Sequence, residues 1–223
     1  MTDQTADQAQ RDYDEDRWPA ALALLACIGL YIALPDSLVI QPNWLIPVIE
    51  LIPLVTLMIT HRHRYPEEPT WTRFVTIAML VVINLANIFS VFSLVHRLLY
   101  PISAVHDGRQ LIFSAVIIWV TNVIIFGMWF WEIDRGGPAV RGTPQQSFPD
   151  FQFPQMENPK LAPADWRPRF LDYLYISLTN TAAFSPTDAM PLTRRAKGMM
   201  GISAMVAMIT VLVVASRAIN ILK

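Results

Sequence analysis

Long apolar runs, separated by short polar, proline-bearing or glycine-bearing stretches, dominate the chain. Five of them, 18–34, 44–60, 74–95, 111–131 and 198–222, are all but free of charge. A hydrocarbon core about 30 Å thick takes roughly 20 apolar residues of helix, with about 17 to 25 tolerated, so each run qualifies as a span. The first two hold 17 residues each and stand at the lower limit. Pro35-Asp36 ends the first and Pro42-Asn43 opens the second, a pattern that predicts a tight helical hairpin; alternatively one of the two is a buried or interfacial helix. The expected fold is an all-α polytopic transmembrane helical bundle of about five spans.

Between the fourth and fifth runs lies a loop, 132–197, too long to be a mere connector. Its first part, from Gly136 to Pro168, is rich in Pro, Gly and Gln and should be irregular. Phe148, Phe151, Phe153 and Trp166 within it need cover from the bundle or the membrane face. The second part, 170–184, predicts a short amphipathic or re-entrant helix with Leu171, Leu174, Tyr175, Leu178 and Ala182 on one stripe. The organisation is thus an acidic disordered tail at 1–17, spans one to four at 18–131, the loop with its helix at 132–197, and the last span at 198–223.

Composition agrees. Hydrophobic residues make up 53% of 223 and charged ones 16%, against about a quarter in an ordinary globule. The net charge of −1 lacks the strongly basic footprint of a nucleic-acid binder. A single cysteine, Cys27, excludes a disulfide-stapled domain. The tail carries Asp3, Asp7, Asp12, Asp14, Glu15 and Asp16, whereas a signal peptide wants a positive leader.

Arginine and lysine set the orientation. With the N-terminus inside, the cytoplasmic side receives Arg11, Arg17, Arg62, Arg64, Arg73, Arg135, Arg141, Arg194, Arg195 and Lys197, and the opposite side only Arg97, Arg109 and Lys223. That asymmetry predicts a cytoplasmic N-terminus and an external C-terminus. Trp18, Trp44, Trp71, Trp129 and Trp131 stand at span ends, where indole rings anchor to headgroups.

Polar residues inside the runs are the candidate path. Glu50 lies six residues into the second run, and such a placement usually has a partner facing the bundle. Counting ~1.5 Å per residue puts Arg217 of the last run at nearly the same depth. The pair reads either as a proton or cation site or as a structural salt bridge. Asn84 and Asn87 share one face of the third run, and Thr121-Asn122 sits mid-way in the fourth. These amides, with Ser203, Thr210 and Ser216, either hydrogen-bond across helices or line a hydrated path. His61 and His63 alternate with Arg62 and Arg64, a headgroup-contacting cluster rather than a metal site. No catalytic, cofactor-binding or metal motif is present, so the expectation is a non-enzyme without cofactor.

Two resemblances follow. Trp131-Glu132-Ile133-Asp134-Arg135-Gly136-Gly137-Pro138, Asp150-Phe151-Gln152-Phe153-Pro154-Gln155 and Asp172-Tyr173-Leu174-Tyr175 resemble a family of bacterial multi-span inner-membrane proteins to which no activity is attached. The resemblance implies the inner membrane and carries no functional residue over. The fourth span, the short helix, Thr179, Asn180, Thr181, Phe184, Ser185, Thr187 and Asp188, an arginine pair and the last span resemble the pore-loop region of tetrameric potassium channels. Here Ala182-Ala183-Phe184 replaces the glycines that let successive carbonyls aim into a pore. The charge count also puts this loop in the cytoplasm, whereas such channels hold it outside. Either one early run does not cross, or the helix lies on the surface.

The leading expectation is ion or small-solute passage by an inner-membrane protein, with Glu50, Asn84, Asn87, Asn122, Arg217 and the segment Thr179 to Asp188 as contacts. The alternative is a membrane scaffold or accessory subunit binding a protein partner through 132–197. A homo-oligomer is compatible with the first, and the bilayer is partner to both.

Overall fold

A computed structural model describes residues 17–62, 70–100, 108–138, 140–141, 146–163, 166–185 and 188–221. Residues 1–16 of the acidic tail and Thr187 fall outside these residues, as do the side chains of Trp71 and Arg217 and those of the His61 to Arg64 cluster. The described chain is mostly helical: α1 (Trp18–Ala33), α2 (Leu45–Arg62), α3 (Thr70–Leu99), α4 (Gly108–Ile133), α5 (Pro154–Glu157), α6 (Phe170–Ala183) and α7 (Arg194–Ile221). Two-residue strands β1 (Phe151–Gln152) and β2 (Met190–Pro191) pair antiparallel, Phe151 opposite Pro191, a pairing the sequence pattern does not announce.

Three helical stretches, Arg73–Leu99, Arg109–Gly136 and Arg194–Ser216, are long and apolar enough to cross a membrane. Trp18–Ala33 is a shorter apolar helix of 16 residues, about 24 Å at ~1.5 Å per residue.

Helix α4 is the hub, packing on α1, α3, α6 and α7. Its span window is 72% buried, against 33% for α3 and 28% for α7, because its neighbours surround it while theirs do not. Two stacked apolar clusters fix the direction of every long helix. One joins Ala20 and Leu24 of α1, Leu54 of α2, Leu80 of α3, Phe130 of α4 and Ala196 of α7. The other joins Tyr31, Ile46, Leu94, Leu111 and Val213 from the opposite ends of the same helices. The long helices therefore alternate in direction. The first cluster also holds Phe151, Phe153, Phe170 and Tyr173, so the long loop and α6 close that end of the bundle, called the cap end below.

Three local expectations are corrected. The indoles of Trp129 and Trp131 are buried in the core rather than at an interface, Trp131 with its ring edge-on to Phe170 at 5.8 Å. Phe151 and Phe153 have their cover, but Phe148 is 91% exposed. The stripe on α6 is reversed: Phe170, Tyr173, Ile176, Ser177, Asn180 and Thr181 are buried, while Leu171, Tyr175 and Leu178 are exposed. A hydrophobic stripe tells which residues share a face; in a protein with lipid-capable helices it does not tell that this face points to protein, since lipid is as apolar as leucine.

Candidate functional site: a short helix and its polar contacts

Helix α6 starts at the cap end, where the Tyr173 hydroxyl donates to Asp134 Oδ2 at 2.6 Å. It then packs against α4. A Cβ on Gly127 would lie 3.0 Å from the Leu174 Cα, so the missing side chain is what allows the two backbones to approach. At its inner end Asn180 Nδ2 donates to the Met200 carbonyl of α7 at 3.0 Å. Met200 stands six residues beyond Arg194, about 9 Å along the helix. Phe184 ends α6 in the left-handed conformation, φ 54°, and the chain returns to pair β2 with β1. The segment enters and leaves at one end of the bundle.

The predicted polar residues separate into groups. Asn122 of α4 is buried and its Nδ2 donates to the Ser203 carbonyl at 3.2 Å. Asn122 and Asn180 thus hold carbonyls three residues apart on α7. Thr179 and Thr181 bond back to carbonyls of their own helix. Asp188 and Ser185 are exposed; Asp188 hydrogen-bonds the Tyr175 hydroxyl and holds that phenol above its usual pKa. Asn87 is buried on α3 and Asn84 half-buried. Glu50, 2% exposed on α2, lies apart, within electrostatic reach of Cys27 and Tyr31 of α1. Its pairing with Arg217 falls outside the described side chains.

Several buried polar atoms have no hydrogen-bond partner among the described residues: Glu50 Oε2, Thr121 Oγ1, Asn122 Oδ1, Ser177 Oγ and Ser203 Oγ. Native structures pair nearly all such groups with protein or ordered water. Asn122 and Ser203 meet where α4 packs on α7, Thr121 is next to Asn122 in the chain, and Ser177 stands one turn before Asn180 on α6. Ser203 stands nine residues beyond Arg194, about 14 Å along α7, a length close to half of a hydrocarbon core ~30 Å thick.

The cap is a network the sequence reading did not single out. Asp134 is fully buried at the end of α4 and accepts the backbone N–H of Asp150 at 2.7 Å as well as the Tyr173 hydroxyl. Arg135 and Arg141 lie 3.6 and 4.0 Å from its Oδ2. Arg141 in turn donates to the Trp131 carbonyl and sits 4.8 Å over the Tyr173 ring. Asp150, also fully buried, takes Arg195 in a bidentate pair, 2.6 Å at each oxygen, and accepts the Thr193 hydroxyl. Thr193 caps α7, accepting the N–H of Ala196. Loop, α6 and the start of α7 are so tied through two carboxylates. The backbone that lets Asp134 turn inward needs left-handed residues: Arg135 at φ 56°, then Gly136 and Gly137 at φ 94° and 99°. Two glycines behind Asp134-Arg135, at the end of an apolar run, are the one sequence signal that marks this corner.

Against known proteins, the chain matches no family model, no curated protein and no solved structure.

Proposed function

We propose that this is a five-span bacterial inner-membrane protein, with its N-terminus and cap in the cytoplasm and its C-terminus outside, that passes an ion or small solute. The observation that carries the reading is the set of buried polar atoms on α4, α6 and α7, those of Ser177, Thr121, Asn122 and Ser203, that have no hydrogen-bond partner among the described residues. In a dry low-dielectric interior each such group costs about 1–3 kcal/mol, a cost relieved by water or by a polar solute in transit. The re-entrant helix supports it, because non-spanning backbone at membrane depth is tolerated where it is packed in protein or lines a cavity. The alternating directions of α1, α2, α3, α4 and α7 support five spans, and the cationic residues Arg17, Arg73, Arg194, Arg195 and Lys197 all fall at the cap end.

The test is flux from liposomes holding the purified protein, for common cations, anions and small neutral solutes. Asn122→Leu, which fills the junction and removes its acceptor, should cut passage tenfold or more, and Glu50→Gln tells whether a charge is needed at α2. Absence of flux for all of them sinks the reading.

That outcome would leave the second reading, a membrane scaffold or accessory subunit. It is favoured by the bonds of Asn122 and Asn180 to α7 carbonyls, which act as interhelical glue, and by the rigid tying of the loop to the bundle.

A further inference from the structure

Helix α7 presents two unlike faces. Ala196, Met200, Ser203, Ala207, Thr210 and Val213 are buried against the bundle. On the opposite side, at steps of three and four residues, Arg194, Gly198, Gly201, Met205, Met208 and Leu212 are exposed, with Lys197 beside them. A Cβ on Gly198 or Gly201 would meet nothing within 4 Å, so the helix carries a shallow notch between a cationic end and an apolar track.

Among the described residues, two of the three cations at that end have no ion pair. Arg195 is neutralised by its bidentate pair with Asp150, whereas Arg194 and Lys197 are exposed and show no ion pair among the described residues. The ten steps from Gly198 to Met208 rise about 15 Å, half of a hydrocarbon core ~30 Å thick. That is the depth of one leaflet, with the cations at headgroup level. Basic residues at the cytoplasmic ends of spans bind anionic headgroups.

We propose that this face of α7 is a binding site for one anionic phospholipid, its phosphate held by Arg194 and Lys197 and an acyl chain lying over Gly198 and Gly201 against Met205 and Met208. Charge complementarity selects the headgroup, and the notch lets the chain reach the helix backbone. The site is independent of whether the protein passes a solute.

The experiment uses the full chain in detergent, delipidated and titrated with phosphatidylglycerol or phosphatidylcholine under native mass spectrometry, with inorganic phosphate and a soluble glycerophosphate as competitors. Phosphatidylglycerol should be retained about tenfold more strongly than phosphatidylcholine. Both altered side chains being exposed, Arg194→Gln with Lys197→Gln should fold and bring the two lipids to near equality. Gly201→Leu, which leaves the charges in place, should weaken phosphatidylglycerol several-fold by filling the notch. Equal retention by the unaltered protein overturns the proposal, as does a preference unchanged in the double variant. Displacement of the lipid by inorganic phosphate at comparable concentration overturns the lipid as occupant, and so does a dimer that Gly201→Leu dissociates, which would assign the face to a second copy.

Discussion

Removing the charge of Asp134 tests the cap most sharply. The carboxylate is wholly buried and serves the Asp150 N–H at 2.7 Å, the Tyr173 hydroxyl at 2.6 Å and the guanidinium groups of Arg135 and Arg141. Asp134→Asn keeps the shape but takes a negative charge away from beside Arg141, which is only 5% exposed. Breaking a buried pair from one side costs about 3–5 kcal/mol, mostly the stranded charge, and a hydrogen bond to a charged group contributes about 1.5–3 kcal/mol. These overlap, so the expected loss is about 3–5 kcal/mol rather than their sum. Unfolding by SDS titration or steric trapping in bicelles reads it directly. The double variant Asp134→Asn with Arg141→Met should recover a large part, because it also removes the buried guanidinium that faces this carboxylate. A loss under about 1 kcal/mol for the single variant, or no recovery in the double, would refute the claim that one carboxylate organises the cap.

Other outcomes follow from individual contacts. Asp150→Asn should cost less, about 1–2 kcal/mol, since its partner Arg195 is half-exposed and solvent screens the pair; limited proteolysis should find new cuts in 142–163. Gly127→Ala should destabilise by about 1–3 kcal/mol through overpacking, because the new methyl meets the Leu174 backbone at 3.0 Å, and the thermal midpoint in detergent measures it. Asn180→Leu should lose about 0.6 kcal/mol, up to ~1.7, as interhelical amides do in other bundles; a loss well beyond that range would mean the amide does more than join α6 to α7. Phe184→Gly should be neutral or stabilising by up to about 1 kcal/mol, since φ 54° strains a residue with a side chain, and a marked destabilisation in the same melt would show that the phenyl ring is held.

The sequence made the bundle legible and left its interior illegible. Apolar runs gave three membrane-capable helices and the short hairpin, because lipid imposes a length and a composition that need no knowledge of neighbours. The short helix at 170–184 was also readable, to within a residue of Phe170–Ala183. Its buried face was not. Leu171, Tyr175 and Leu178 carry the hydrophobic signal, yet Ser177, Asn180 and Thr181 face the protein. Nor was the joining of Asp134 to Asp150 legible: both lie in strings that carry a family resemblance, but they are sixteen residues apart, separated by a loop of low pattern, and only its folding back makes them one network. Gly127 reads as a helix-weakening residue until Leu174 is seen against it.

What the sequence determined alone was how much of the chain demands an apolar solvent and where the cations gather, since both depend on one-dimensional spacing. Tertiary structure decided which apolar faces meet protein and which are left open, which amides bond to α7, and which carboxylates hold the cap. These are pairings between residues far apart in the chain, and hydrogen bonds and ion pairs act over a few ångströms, so only the packed helices can assign them.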